Sequence, residues 1–476
     1  MIGCIAFCYV LIRSITVGIT YDEVWTINEF VSQNILNIIN YTPCDANNHI
    51  LNTLLIKLFF LFGNHSLFIA RLPNVLSFIL YLYYGHKITA QYLSPITGIA
   101  CFLLLLLNPF LLDFFSIARG YGLSLAFLLT SIYFAFKFDR EARVSHVWRT
   151  IGFGAIAVLC NFSLLNYWIA LVILINSIAL LRGEKYNFKK SLLSTIGIAI
   201  VLFAIVYEPI RKLKVTGNLY YGGNTGFYSD TLESLTKYSL YTTESNSLIY
   251  YSLNIFLLVL ILTILISFFF NRTLYSLKNI VLSVTTLCIL SVVLQHHLLD
   301  TPYLIDRTAL FFYPLFILSL CFSLNDFYHK STSIIISLIV MVFGINFFSK
   351  ANLYKITTWY FDSHSEEILN LLNKKGAEQE RKIKIDFSWP FQSSFGYYVR
   401  QNNYPYIEIV KNKQDREDLN ANADYYIYLT KSLEKVGYDA NAQKILPLIK
   451  DTVLQYKDEK TMLFTGMHMN RTNIEE

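Results

Sequence analysis

The stretch "GITYDEVWTINEF", residues 18–30, places two adjacent carboxylates, Asp22 and Glu23, directly after an apolar run that begins at the first residue. The 476-residue chain around it is 54% hydrophobic and 16% aromatic, with only 15% charged residues. This composition is too apolar for an ordinary soluble domain and is typical of a polytopic membrane protein. The stretch therefore predicts two anions at the membrane edge of a first transmembrane helix.

Apolar segments of membrane length recur along the first 350 residues. A bilayer core of ~30 Å needs about 20 apolar residues per helix. We therefore predict an all-α membrane domain of eleven spans, at 1–20, 67–86, 94–113, 120–137, 150–163, 164–181, 191–209, 247–269, 279–295, 308–324 and 331–349. Segments 23–39 and 49–63 are too amphipathic or too short to cross, which predicts interfacial helices; the apolar face of the first carries Val24, Ile27, Val31, Ile35 and Ile38.

Basic residues indicate the orientation because cytoplasmic loops are enriched in lysine and arginine. They concentrate on one side, at Lys137, Arg140, Arg143, Arg149, Arg182, Lys185, Lys189, Lys190, Arg272, Lys278 and Lys330. The loops 21–66, 114–120, 210–246 and 296–307 and the tail then face outward.

We predict a membrane domain at 1–349 and a soluble extracytoplasmic α/β domain at 350–476. In that domain a helix "SEEILNLLNKK" precedes strands "KIKIDF", "YIEIV", "YYIYLT" and "TMLFTG".

Several classes are excluded by charge and cysteine usage. The net charge of +6 is scattered through loops without a basic, aromatic stripe, which argues against a nucleic-acid partner. The seven cysteines lack spaced pairs and predict neither a disulfide framework nor a zinc site.

Arg13 lies nine residues before Asp22, about 13 Å along a helix. If Asp22 marks the interface, Arg13 sits near mid-membrane at a cost of about 2.5–3.5 kcal/mol. We favour the alternative in which the helix ends near Arg13, so that the chain as printed lacks its first helical turns.

The residues able to carry chemistry collect on the outward side. They are Asp22, Glu23, His49, Arg119, Tyr121, His296, His297, Asp300, Tyr303, Asp306 and Arg307. A carboxylate can accept the proton of an acceptor hydroxyl, and fixed cations stabilise charge on a departing phosphate. Arginine matches phosphate geometry through two hydrogen bonds. The set favours group transfer from an anionic lipid at the membrane surface.

Each candidate also has a purely structural interpretation. Asp22 could N-cap the next helix, with Glu23 near its dipole, and His49 could be a capping or interfacial histidine. Arg119 could be a turn residue that snorkels toward headgroups. The pair His296 and His297 could bind a metal, and Asp306 and Arg307 could form a plain ion pair. Arg71 is expected to anchor the start of the second span, and the loop "GNLYYGGNTGFY" either covers a site or links spans.

The order of these elements resembles a known group of membrane enzymes. An acidic pair after the first span, "NNHIL", "ARLPNVL", "ARGYGL" and a late "YLIDRTALFFYPLF" are similar to bacterial GT-C fold glycosyltransferases. The resemblance is to the protein O-mannosyltransferase and lipid A aminoarabinose transferase group, glycosyltransferase family 39 and its bacterial cousins, and spans roughly residues 1–350.

That resemblance implies inverting, single-displacement transfer of a sugar from a polyprenyl phosphate on the outer side of the membrane. Asp22 matches the acid that orients or deprotonates the acceptor, with Glu23 beside it. His49 stands where relatives open a helix with His-Pro-Pro or Lys-Pro-Pro and would lie near the donor phosphate, although Ile50 and Leu51 replace the prolines here. Further donor or substrate contacts are implied for Arg119, Tyr121, His297, Tyr303 and Arg307.

The expected partners are a polyprenyl-phosphate sugar donor, a lipid, glycan or protein acceptor, and the bilayer of a bacterial inner membrane. No cofactor is expected with certainty, and a divalent metal at the carboxylate pair is an alternative that we do not favour. The competing function is a transporter or flippase of lipid-linked sugars. Two further hypotheses remain. The chain could be a GT-C ligase that joins a polymer to lipid A, or its tail could be a binding module for which the membrane domain serves as the anchor.

Overall fold

The computed structural model describes residues 1–242, 251, 254, 258, 277–325, 330–410, 423–429, 449–456 and 461–466. The chain divides into two compact units. The first comprises Met1–Ile15 and Thr26–Asn352, and the second comprises Thr16–Trp25 and Leu353–Glu476. The predicted span at 247–269 lies outside the described residues, apart from three isolated positions.

Helices dominate the first unit. In chain order the α-helices of the described residues are α1 (Ile2–Thr16), α2 (Tyr21–Trp25), α3 (Ile35–Ile39), α4 (Ile50–Phe60), α5 (Leu67–Tyr92), α6 (Pro95–Leu106), α7 (Pro109–Ser116), α8 (Gly120–Glu141), α9 (Val144–Cys160), α10 (Leu165–Leu181), α11 (Phe188–Val215), α12 (Glu233–Ser239), α13 (Leu277–Leu299), α14 (Asp306–Ala309), α15 (Phe312–Asn325), α16 (Lys330–Lys350), α17 (Ser365–Glu378) and α18 (Gln392–Asn402). Two π-helices add Thr26–Val31 and Phe227–Leu232.

Six helices among the described residues are long and apolar enough to cross a membrane, or up to eight if each of two bent pairs counts as one span. The predicted number of eleven is thus not confirmed. The predicted span 94–113 bends by 60° between α6 and α7. The break occurs where the Asn108 side chain caps α7 by accepting a hydrogen bond from the Leu111 amide at 3.1 Å, with Pro109 following as the first helical residue.

The predicted interfacial helix over 23–39 is not continuous. It is divided into α2, the π-helix Thr26–Val31 and α3. The Asn34 side chain accepts a hydrogen bond from the Asn37 amide at 2.8 Å and so starts a new helix. The predicted apolar face is broken accordingly, since Ile38 is buried while Ile35 is exposed. The second predicted interfacial helix is present as the eleven-residue α4.

The first helix ends near Arg13, as favoured from the sequence, because Arg13 lies in the last turn of α1. α1 continues to Thr16, and Arg13 is fully buried within it. Its guanidinium forms an ion pair with Asp113 of α7 and donates to the Asn352 side chain at 3.2 Å. Asp113 in turn accepts a hydrogen bond from the Tyr241 hydroxyl. A charge pair with these additional hydrogen bonds keeps the arginine inside an apolar helix.

A buried asparagine network joins the elements that carry the candidate site. The Asn74 amide of α5 donates to Asn52 of α4 at 2.8 Å, and Asn52 donates to the Ala118 carbonyl at 3.1 Å. The Leu123 amide of α8 donates to Asn74 at 3.3 Å. These bonds hold the start of α4 beside the start of α8, because the buried side chains of Asn52 and Asn74 both bond to neighbouring elements.

The second unit contains a five-stranded sheet beside α17 and α18. Its strands are β1 (Ile383–Phe387), β2 (Ile407–Ile409), β3 (Tyr425–Leu429), β4 (Ile449–Tyr456) and β5 (Thr461–Gly466). Their order is β2-β1-β3-β5-β4. β1 pairs in parallel with β2 and β3, whereas β5 pairs antiparallel with β3 and β4. The four predicted strands are present; β4 and the helix α18 are additional.

Candidate active site

His49 immediately precedes α4, and its side chain makes no capping hydrogen bond. The imidazole instead bonds the carbonyl of Cys160 at the end of α9. The residue is only 6% exposed. Its Nε2 atom is buried and has no hydrogen-bond partner among the described residues. The capping and interfacial interpretations of His49 therefore do not hold.

Gly120 explains why the His49 ring can lie so close to two helix ends. A Cβ atom at position 120 would lie 2.0 Å from the Cys160 carbonyl oxygen and 2.8 Å from the Cβ of His49. Any side chain would displace one of them. The next residue, Tyr121, meets the imidazole edge to face with 4.9 Å between ring centroids. The glycine of "ARGYGL" is thus a packing requirement of this site.

Arg119 is buried at the start of α8 and does not snorkel to the surface. Its Nη1 donates to the Thr26 hydroxyl at 2.9 Å and to the Asn47 carbonyl at 3.0 Å, and its Nη2 donates to the Asn47 side chain at 3.0 Å. The loop before His49 thus holds the guanidinium in one orientation. Asn47 and Thr26 were not singled out from the sequence, although Asn47 stands in the polar run "CDANNH".

Arg307 is held by Tyr221, a residue of the glycine-rich loop. The guanidinium lies over the Tyr221 ring, 4.4 Å from its centroid, and donates to the Tyr221 hydroxyl at 2.9 Å. That hydroxyl donates to the carboxylate of Asp306, which lies 3.7 Å from Arg307. The ion pair between Asp306 and Arg307 that was expected from the sequence is therefore part of a larger side-chain cluster, which also includes the Tyr221 ring.

The glycine-rich loop is docked against the segment before Arg307. Gly223 and Tyr303 form an antiparallel bridge, with amide-to-carbonyl distances of 3.0 and 2.7 Å. A Cβ at Gly222 would lie 2.4 Å from Pro302. His296 stacks on the buried Tyr303 ring at 4.2 Å, whereas His297 is exposed and contacts the His296 ring. Of the two histidines, His296 is the one that contacts Tyr303.

Two arginines act electrostatically on one histidine. Burial holds the pKa of the His49 imidazole well below its usual value, and the charges of Arg119 and Arg307 lower it further, against the opposing effect of the Cys160 carbonyl. The imidazole is therefore neutral at pH 7. His49, Arg119 and Tyr121 are buried, whereas Arg307 is partly exposed and acts on His49 through its charge. We call these four residues the basic cluster.

Asp22 and Glu23 belong to the second unit, where both are buried. Thr20 and Glu23 form a capping box: the Glu23 carboxylate accepts from the Thr20 amide at 3.0 Å, and the Thr20 hydroxyl accepts from the Glu23 amide at 3.4 Å. Thr20, not Asp22, is the cap. The interpretation of Asp22 as the N-cap is therefore wrong, and Glu23 has a structural role that Asp22 does not share.

A third carboxylate lies close to this pair in the second unit. Asp362 accepts a hydrogen bond from the Tyr21 amide at 2.7 Å. Burial raises its pKa well above the usual range, and the charges of Asp22 and Glu23 add to the rise, while Ser394 and the Tyr21 amide oppose it. Sequence reasoning missed Asp362, which is 340 residues away from Asp22.

Among the described residues, no group of three or more His, Cys, Asp or Glu side chains is arranged to hold a metal ion.

No protein-family model and no curated protein matches the chain. Among solved structures, the chain is similar to the crystal structure of ArnT from Cupriavidus metallidurans bound to undecaprenyl phosphate. The identity is 9% and the TM-score 0.50, and the match covers 97% of this chain and 96% of that chain. At this identity the likeness shows the fold alone. With its apolar helices, the chain is a multi-pass membrane protein with the GT-C fold that ArnT represents.

Proposed function

We propose that this chain transfers a sugar from a polyprenyl-phosphate donor to a lipid, glycan or protein acceptor, with inversion at the anomeric carbon. The basic cluster is the observation that carries the proposal. Arg119 and Arg307 both act on the buried His49, within a fold whose ArnT example is bound to undecaprenyl phosphate. A lipid phosphate carries the kind of negative charge that arginine side chains bind through paired hydrogen bonds.

In the proposed reaction the acceptor oxygen attacks the anomeric carbon from the side opposite the phosphate. The bond between that carbon and the phosphate oxygen breaks, and its electron pair stays on the phosphate. The acceptor proton passes to Asp22 as general base. Arg119 and Arg307 stabilise the second negative charge that forms on the phosphate. The assignment to Asp22 follows the sequence resemblance, whereas the Glu23 carboxylate is part of the capping box with Thr20.

The remaining assignments follow the sequence. Tyr303, held by Gly223, is proposed to support the sugar or lipid head. The surface residue His297 is proposed as a further substrate contact. We place the protein in a bacterial plasma membrane. The distribution of basic residues supports an orientation in which the site and the second unit lie on the outer side of that membrane.

One observation favours a transporter of lipid-linked sugars as the second candidate. The buried pair Arg13 and Asp113 lies on two apolar helices, and α7 follows a 60° break. Ionisable groups on broken helices are typical of transport pathways. A transporter moves the donor between leaflets without breaking a covalent bond, so product chemistry separates the two functions.

The proposal is tested with the purified full-length chain and undecaprenyl phosphate. We expect saturable binding that is weakened at least tenfold in Arg119→Gln and Arg307→Gln, with the unfolding temperature of each variant measured to confirm that it is folded. Equal affinity in both variants would remove the basic cluster as the phosphate site. Mass spectrometry of surface lipids and glycoproteins, with and without the gene, would then identify the sugar and the acceptor.

A further inference from the structure

The two nitrogens of His49 have different surroundings. One bonds the Cys160 carbonyl, whereas Nε2 is buried without a partner among the described residues. The nitrogen that faces Cys160 is therefore Nδ1. A carbonyl only accepts hydrogen bonds, so Nδ1 carries the proton. A neutral imidazole has a single N–H group, and Nε2 therefore presents a lone pair in the ligand-free protein.

The orientation of this lone pair is fixed by packing. Gly120 lies so close to the Cβ of His49 and the Cys160 oxygen that even one added carbon would overlap both. The Tyr121 ring contacts the imidazole edge to face. A flip of the ring would carry the Nδ1 proton away from Cys160 and leave the helix-end carbonyl without this donor. Nε2 is thus held in one place as a hydrogen-bond acceptor.

The charged and titratable groups around the ring come from four elements. Arg119 and Tyr121 lie at the start of α8, Cys160 ends α9, and Arg307 belongs to α14. The loop that leads into His49 contributes Tyr41 and Asp45, and the field of Arg119 reaches Tyr41. Of these, the two arginines disfavour protonation of His49.

We propose that His49 takes up a proton when a lipid phosphate binds at the basic cluster, and that the resulting imidazolium donates from Nε2 to a phosphate oxygen. This inference rests on the proposed donor site and describes how that site adjusts its charge. An anion facing the Nε2 lone pair is repelled. The same anion neutralises the arginine charges that keep the ring deprotonated. Both effects favour one additional proton in the complex.

The proposal fixes the sign of the pH dependence. Between the low pKa of His49 in the free protein and its higher pKa in the complex, binding takes up one proton, and affinity rises up to tenfold for each pH unit of acidification. Outside that interval His49 makes no contribution to the pH dependence of the affinity. Because burial and the arginine charges lower the pKa of His49 in the free protein, the interval begins on the acidic side of the ordinary histidine pKa.

The experiment is titration calorimetry of the full-length protein in detergent with undecaprenyl phosphate. It is run between pH 6 and 8 in buffers of different ionisation enthalpy, which yields the number of protons exchanged. A phosphate monoester itself titrates near about pH 6, so a second titration uses undecaprenyl methyl phosphate. This diester cannot take up a proton, and any uptake then belongs to the protein.

We expect up to one proton to be taken up with the diester by the wild type, and none by His49→Gln, which keeps an amide donor but does not titrate. Diester binding without proton exchange at every pH would overturn the role of His49 and leave the donor site intact. Unchanged uptake in a folded His49→Gln would assign the proton to another group and overturn it as well. Failure of both lipids to bind would instead overturn the donor site itself. If the variant does not fold, the wild-type diester affinity remains as a second readout: it should rise on acidification by up to tenfold per pH unit, and an affinity independent of pH would overturn the proposal.

Discussion

The Glu23 carboxylate accepts the backbone amide of Thr20 at 3.0 Å and closes the first turn of α2. In the reciprocal bond the Glu23 amide donates to the Thr20 hydroxyl at 3.4 Å. Both orphan donors at this helix start are satisfied by residues 20 and 23. Of the two adjacent acids in this stretch, Glu23 closes the helix cap, and Asp22 is the one that we propose as the general base.

This separation predicts opposite phenotypes for the two acids. Asp22→Asn should abolish sugar transfer without lowering the unfolding temperature, because the capping box is untouched. Glu23→Ala should destabilise the protein by about 1 kcal/mol through loss of the cap, whereas Glu23→Gln keeps a carbonyl acceptor and should be near neutral. Transfer assays and thermal unfolding of all three variants check the prediction. Near-full transfer by Asp22→Asn would remove it as the base.

Asn47 is predicted to set donor affinity through Arg119. Asn47→Ala removes the side-chain acceptor that lies 3.0 Å from Nη2. Loss of a hydrogen bond to a charged group costs about 1.5–3 kcal/mol of stability, and a guanidinium that is no longer held in one orientation should bind undecaprenyl phosphate more weakly. Asn28→Ala, the same change at an exposed position, is the matched control and should bind normally. Equal affinity in the two variants would show that Arg119 does not depend on Asn47.

Tyr221→Phe is predicted to release Arg307. It removes the hydroxyl that accepts from the guanidinium at 2.9 Å and donates to Asp306, while the ring remains for the stacking contact. The KM for the donor should rise several-fold with a smaller change in kcat. Its neighbour Tyr220 is 77% exposed, and Tyr220→Phe should be silent. Steady-state kinetics of both variants provide the comparison.

Arg13 and Asp113 should be inseparable. Arg13→Met leaves a buried carboxylate without its cation and should destabilise the protein by about 3–5 kcal/mol. The double variant Arg13→Met with Asp113→Leu removes both charges and should recover most of that loss. Unfolding temperatures in the same detergent test this difference. A double variant as unstable as the single one would mean that Tyr241 and Asn352 also require the charges.

Asp362 makes the stability of the protein depend on pH. Its pKa is raised well above the usual value, so the unfolded chain, with a pKa of about 3.9, releases the proton more readily. Folding is therefore penalised progressively as the pH rises above about 4. Asp362→Asn should raise the unfolding temperature at pH 7 by more than at pH 5. Asp424→Asn, which breaks a contact with Arg381 at 2.9 Å, should lower it. A benefit of Asp362→Asn that is the same at both pH values would contradict the buried-charge explanation.

Residue type and order along the chain were sufficient to select His49, Arg119 and Arg307, because charged residues flanking apolar runs are few. The supporting residues were beyond that approach. Tyr221 and Asp113 meet their partners across 86 and 100 positions, and no local pattern specifies such contacts. The Thr20 cap follows from "TYDE", which fits the capping-box spacing, although Asp22 is also a residue type that caps helices. The breaks in 23–39 and 94–113 follow from Asn34 and Asn108, whose capping preference competes with the apolar periodicity that predicted continuous helices.

The contact at Gly120 has a consequence for tracing the ancestry of this protein. At 9% identity, alignment of whole sequences carries little signal. A position where a single carbon would overlap both a histidine and a helix end cannot drift as neighbouring positions do. Arginine followed directly by glycine, with a histidine about 70 residues upstream, is therefore a steric signature by which divergent relatives could be recognised after other resemblance has disappeared.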